Sequence, residues 1–167
     1  MMAGMSDESV STRPPGETPR LATPADASAV AQLLFDFNHE FDVASPPVAV
    51  LEERLVALLN TEVAFAVVAA ANPTAVALIT LRPSVWYPGP VATLDEMYVV
   101  PALRGHGVGS KVLTAAVEEC RVRNVGSIEI NVDESDTDAL RFYRRHDFFD
   151  VDPSTDEKAF YLFQDLV

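Results

Sequence analysis

The chain has 167 residues, 49% of them hydrophobic, with 25 acidic against 12 basic side chains and a formal charge of -13. That length allows one domain with a substantial core, since a domain of about 150 residues buries roughly two-thirds of its unfolded surface. The charge argues against a nucleic-acid partner and suits cationic small molecules, solubility being the plainer use of the excess acid, and no apolar run reaches the ~18 residues of a membrane span.

Residues 1–20, MMAGMSDESVSTRPPGETPR, hold three prolines and no periodicity. They are expected to form a disordered tail ahead of one domain spanning 21–167. They also lack a signal-peptide core, so a cytoplasmic protein with no membrane partner is expected. Residues 20–22 read as a short strand. Thr23, Pro24 and Asp26 then form a helix start, and Val30, Leu33, Leu34, Phe37 and Phe41 give that helix its buried face. His39 reads as a solvated helix residue, and no Cys or His cluster suggests a metal. Ser45-Pro46-Pro47 starts a second helix carrying Val48, Leu51, Leu55, Leu58 and Leu59.

Segments 62–70 and 75–82, rich in Val, Ile and Ala around Asn72-Pro73, predict an antiparallel hairpin. The loop at 83–90 bears Trp86 and Tyr87, which either wall an ammonium site by their negative ring faces or simply pack. Residues 94–100 form the next strand, where alternation puts Leu94, Glu96 and Tyr98 on one face and Asp95 and Met97 on the other. A helix over 108–123 aligns Val108, Val112, Ala116, Val117 and Cys120 on one stripe, which makes the single cysteine a packing residue. A strand at 127–132, a helix at 136–145 and a hairpin of 148–151 with 159–164 complete the order. It predicts a mixed sheet with helices on both faces.

Between the strand at 94–100 and the helix at 108–123 lies Arg104-Gly105-His106-Gly107-Val108-Gly109-Ser110-Lys111. Unpaired amides at a helix start attract an anion, and glycines let the backbone approach it closely. A Walker loop is excluded, because its lysine and hydroxyl would follow the last glycine in the opposite order. The dinucleotide fingerprint fits poorly: Ser110 stands where a third glycine or alanine belongs, and 101–104 lengthen the turn.

Arg104, Gly107 and Gly109 make an Arg-x-x-Gly-x-Gly pattern after a strand ending Tyr98-Val99-Val100-Pro101. It resembles the pyrophosphate loop of the GNAT superfamily of acyl-CoA-dependent N-acetyltransferases. A second block at 132–148, VDESDTDALRFYRRHDF, is similar to the family's Asn-x-x-Ala-x-x-Phe-Tyr-x-x-x-Gly-Phe signature. The resemblance spans roughly 21 to the end of the chain, with its specific motifs at 94–148.

The resemblance implies an α+β fold, an α/β/α sandwich on a mixed, mostly antiparallel sheet. In it the motif strand and the strand at 127–132 splay to admit a pantetheine arm. Acetyl-CoA is then the co-substrate, with no metal. Its binding is expected from the backbone of Tyr98, Val99 and Val100 and from Arg104, Gly105, His106, Gly107, Val108, Gly109 and Ser110. Arg104 contacts phosphate or braces the loop, and His106 alternatively faces solvent. Asp136, replacing the family's asparagine, joins the cofactor set as an N-cap whose charge opposes nearby phosphates. Asp147 replaces a glycine that ends this helix in the left-handed region, a geometry aspartate tolerates.

The acceptor is expected to be a small-molecule or peptide amine. Phe37, Trp86, Tyr87 and Asp95 are its candidate contacts, the two N-terminal helices and their joining loop standing where the family shapes its acceptor site. Amines are mostly protonated at neutral pH, so a carboxylate that takes the proton helps. Glu96 is the candidate base or acceptor anchor, with Asp95 its competitor and a solvated strand face the plain alternative. Tyr143 matches the tyrosine that serves the departing sulfur, ordinary packing being the alternative. Trp86 followed by Leu94-Asp95-Glu96 looks locally like diamine and polyamine acetyltransferases. A non-catalytic acyl-CoA sensor is the competing class, and a homodimer is possible on the family's habit.

Overall fold

The computed structural model describes residues 18–158 together with 160, 162 and 164. Five strands form one sheet in the order β1 (Pro19–Leu21), β2 (Ala64–Ala69), β3 (Ala75–Arg82), β4 (Val91–Val99) and β5 (Ser127–Ile130). β1 to β4 pair antiparallel, and β5 joins β4 in parallel. The parallel pair requires a crossover, which is α3 (Val108–Val122), followed after β5 by α4 (Thr137–Arg144). α1 (Ala27–Glu40) and α2 (Val48–Leu59) cover the opposite face. Among the described residues no helix is long and apolar enough to cross a membrane.

Every residue of β2 is buried, as a strand covered on both faces must be, and its sequence AFAVVA is accordingly apolar throughout. One core layer gathers Val30, Leu33, Leu55, Val68, Val76 and Leu78 between the sheet and the α1–α2 pair. The other joins Phe65, Ile79, Leu94, Val112, Leu113 and Cys120 beneath α3. Burial pushes the Cys120 thiol up to about 11, so it stays a neutral packing group.

β1 begins at Pro19, so two residues of the expected tail belong to the sheet; residues 1–17 lie outside the described residues. The reason is local. Arg20 donates from both terminal nitrogens to Asp26 at 2.8 and 2.7 Å, and the same carboxylate accepts from the Thr23 amide at 2.8 Å and hydroxyl at 3.0 Å. The strand is thereby tied to the 3-10 turn Pro24–Asp26 that leads into α1. At the other end an antiparallel bridge, Val151 to Lys158, marks the expected last hairpin, whose residues 159, 161 and 163 lie outside the described residues.

The main departure from the sequence expectation is in β4. Leu78 pairs with Glu96 while Ile79 pairs with Leu94, so Asp95 is an extra residue, a β-bulge. The bulge resets the alternation. Leu94 packs on the α3 side together with Met97 and Val99, whereas Tyr98 packs on the α1 side, and Glu96 stands opposite Leu78, which also belongs there. Leu94 therefore does not share a face with Glu96 and Tyr98. The bulge also marks the end of the β4–β5 ladder, whose last pair is Leu94 with Ile130, and β5 stops two residues short of its expected end. Beyond Leu94, β4 has no partner on its β5 side among the described residues.

Candidate active site

β4 runs into a 3-10 turn at Pro101–Leu103, and the chain then enters α3 through two left-handed glycines, Gly105 with φ 75° and Gly107 with φ 80°. Side chains rarely adopt this backbone, which explains glycine at both places. Gly107 is the N-cap of α3, and the Lys111 amide is the first to reach back, bonding the Gly107 carbonyl at 3.1 Å. The amides from Gly105 to Ser110 make no hydrogen bond with the described residues. They form an anion cradle that also faces the positive end of the helix dipole.

The cradle opens into a cleft of about 610 Å³ between β4, the start of α3 and α4. Its walls are Met97 and Val99 of β4, Gly105, Gly107, Gly109 and Ser110, then Asp136, Asp138, Ala139, Phe142 and Arg145 on or beside α4, with Phe41 and Arg104 at the rim. A Cβ at Gly109 would stand 3.5 Å from Met97 Cε and Val99 Cγ2 and 3.6 Å from Phe142 Cε2, filling part of the channel. Asp136 caps α4, its carboxylate accepting from the Ala139 amide at 2.9 Å. His106 turns Nδ1 to the Arg104 carbonyl at 2.8 Å. Arg104 is held by Glu40 at the end of α1, through Nη1 at 2.5 Å and Nη2 at 2.7 Å.

Glu96 lies in the strand just past the bulge. Burial lifts its carboxyl above the usual glutamate value, and the neighbouring Asp95 charge adds to the rise. Asp95 is also raised by desolvation, against hydrogen bonds from Thr80 that favour its charged form. Of the two, Glu96 makes no hydrogen bond with the described residues that would favour its charged form.

Tyr143 is buried at 9% exposure and belongs to the core beneath α3, while its neighbour Phe142 lines the cleft. Phe142 is thus the aromatic residue of α4 that lines the cleft. Tyr143 instead borders a second cavity of about 360 Å³ with Ile130, Val132, Leu140 and Phe148. Its hydroxyl makes no hydrogen bond with the described residues, yet no fully buried polar side-chain atom there is left without a partner, so the hydroxyl reaches open space. Burial first, then the charges of Asp136 and Glu96, hold the phenol well above its ordinary value.

Trp86 and Tyr87 sit elsewhere. Their loop precedes β4 and docks on the turn before β5, where the Gly126 amide donates to the Pro90 carbonyl at 2.8 Å and Gly126 leaves room for the Tyr87 ring. The cradle follows the other end of the nine-residue β4, at about 3.3 Å per residue. Tyr87 therefore packs, and Trp86, 87% exposed, does not line the cleft. Phe37 packs on Tyr98 with ring centres 5.5 Å apart and on Phe41 at 5.3 Å, behind the cleft rim. Sequence reasoning missed Met97, Phe142, Arg145 and Glu40. An i, i+3 relation of Phe142 to Ala139 and Arg145 on one helix face was the available signal for two of them.

The profile of the acetyltransferase (GNAT) family matches residues 29–148. The chain belongs to the GNAT acetyltransferase family. A candidate acetyltransferase from Arthrobacter sp. FB24 is 46% identical, with a TM-score of 0.85 over 96% of this chain and 100% of that one. An aminoglycoside acetyltransferase from an uncultured soil metagenomic sample, in complex with sisomicin, shares the fold at 20% identity and TM-score 0.72, covering 89% and 95%. So does a ribosomal-protein-alanine N-acetyltransferase from Brucella melitensis biovar Abortus 2308, at 17% identity and TM-score 0.65 over 87% and 98%. No curated protein matches the chain.

GNAT proteins use acetyl-CoA, and the residues present here fit it. Free amides suit a pyrophosphate, Gly109 leaves the channel open, and the unpaired β4 edge past Leu94 offers backbone groups to an amide-bearing arm. Arg145 adds a cation at the cleft wall, and Asp136 and Asp138 oppose it.

Proposed function

We propose that this N-acetyltransferase acts on the primary amine of a small cationic acceptor, by direct attack in a ternary complex. The bulge at Asp95 carries the reading: one irregularity opens the β4 edge beside the cradle and sets Glu96 on the α1 side of the same strand. Bound acetyl-CoA supplies the activated thioester. The amides of Gly105 to Ser110 hold the phosphates, and Tyr98 to Val100 align the arm.

Glu96 accepts the proton that the amine nitrogen gives up, directly or through water, as the C–N bond forms and the C–S bond breaks. Its raised carboxyl brings its basicity closer to that task. Tyr143 borders the second cavity, but its hydroxyl reaches open space and its phenol feels the Glu96 charge; from there it donates a hydrogen bond to the departing sulfur. Its strongly raised phenol keeps it neutral, which suits donation more than complete proton transfer. Asp95 lies one residue from Glu96 and serves as a secondary anchor for a cationic acceptor. The fold leaves the acceptor open, since neighbours of the same fold include one that holds sisomicin and one named for ribosomal-protein alanine.

The test is hydrolysis-corrected thiol release against diamines, polyamines, amino acids, peptides and aminoglycosides, with acetyl-CoA binding measured by calorimetry. Turnover on one amine class identifies the acceptor. Tight donor binding without thiol release on any amine means a sensor instead, and no binding overturns the donor site.

A further inference from the structure

Glu40 is the last residue of α1, where a carboxylate meets the negative end of the helix dipole and the helix itself disfavours it. A tertiary contact compensates. Besides the fork from Arg104, Glu40 Oε2 accepts from the Tyr98 hydroxyl at 3.2 Å. Arg104 Nε donates to the Val99 carbonyl at 2.9 Å, and the guanidinium lies 5.3 Å from the centre of the Tyr98 ring. One side chain thereby ties the glycine loop to the ends of both α1 and β4. Its charge is matched by an internal carboxylate before any ligand arrives, and Glu40 holds both terminal nitrogens.

We propose that Glu40 is a positioning residue for the donor: it fixes Arg104 as a brace, and the main-chain amides of the loop, rather than the guanidinium, carry the phosphates. The proposal rests on the donor site argued above. The fork is specific to arginine with a carboxylate, so lysine at 104 keeps the charge and loses the brace. Exposed ion pairs add little to global stability, so the variants should fold, and their melting temperatures verify it.

Calorimetric titration with acetyl-CoA and with acetyl-pantetheine, which lacks the pyrophosphate, tests E40Q, R104K and the double variant. Amide hydrogen exchange of the loop is followed without ligand. Each single change should weaken acetyl-CoA binding on the order of tenfold, the double variant no more than either, as for residues acting as one unit. Acetyl-pantetheine binding should hardly change, and loop exchange should rise in all three. If E40Q binds acetyl-CoA as well as the unaltered protein or better, the guanidinium is a direct phosphate ligand and the proposal fails. Additive losses, equal losses for both ligands, or unchanged loop exchange overturn it too. Failure of the unaltered protein to bind acetyl-CoA would instead sink the donor site itself, and is seen before any variant is made.

Discussion

Glu96 concentrates opposing demands on one side chain. A carboxyl whose folded pKa is raised favours the fold fully below its unfolded value and loses that contribution as pH rises through the folded value. At neutral pH its charge is therefore a cost to stability. Glu96→Gln should raise the melting temperature at pH 7 by a few degrees, and the gain should vanish near pH 4. If Glu96 is the base, the same variant should abolish the low-pH limb of the rate profile and lower kcat about 10²- to 10⁴-fold, a range typical of general-base loss. A change confined to acceptor KM would make it an anchor only. Tyr143→Phe should lower kcat about 10- to 1000-fold with acetyl-CoA affinity nearly intact, measured by steady-state kinetics beside calorimetry. Unchanged turnover would leave Tyr143 a core residue, as its burial against Phe142 and Phe148 also allows.

At the scale of elements, most boundaries follow from local chemistry. α3 starts where the sequence places it because Gly107 supplies a left-handed cap, and α4 starts at Thr137 because Asp136 caps it. Asp147, standing where the family has glycine, does adopt φ 64°. The β2–β3 turn holds a less comfortable residue: Ala70 has φ 72°, with no polar side chain to ease the left-handed backbone. Ala70→Gly should therefore stabilise the protein by about 1 kcal/mol, read from the urea midpoint at constant m-value. A loss of stability would mean that the turn relaxes at no cost. Strict alternation carried from Leu94 to Tyr98 misses the bulge at Asp95, although the adjacent acids Asp95 and Glu96 interrupt the apolar–polar pattern there. Register against β3 creates it, and register is a property of two strands.

Over the whole molecule, the formal charge of -13 gives any cationic acceptor a favourable approach. If the acceptor is a polyamine, kcat/KM should fall several-fold as ionic strength rises from about 0.01 to 0.15 M, over which the Debye length shrinks from roughly 30 to 8 Å. An uncharged amine of similar size should show little salt dependence. Equal behaviour of the two would leave the acidity to solubility alone.

What the sequence by itself determined is local or nearly so. The glycine cradle, the helix caps, the buried strand pair and the order of elements are each written within a few residues, since propensity, capping and periodicity act at that range. The family signature lay there as well, in Arg104 to Gly109 and in 132–148. The tertiary fold alone decided which groups meet. It separated the Trp86–Tyr87 loop from the cleft by putting it at the opposite end of β4, and set Phe142 rather than Tyr143 on the cleft wall. It also joined Arg104 to Glu40 across 64 positions of chain. Such pairings depend on packing two faces of one sheet at once, and no single stretch of sequence contains that information.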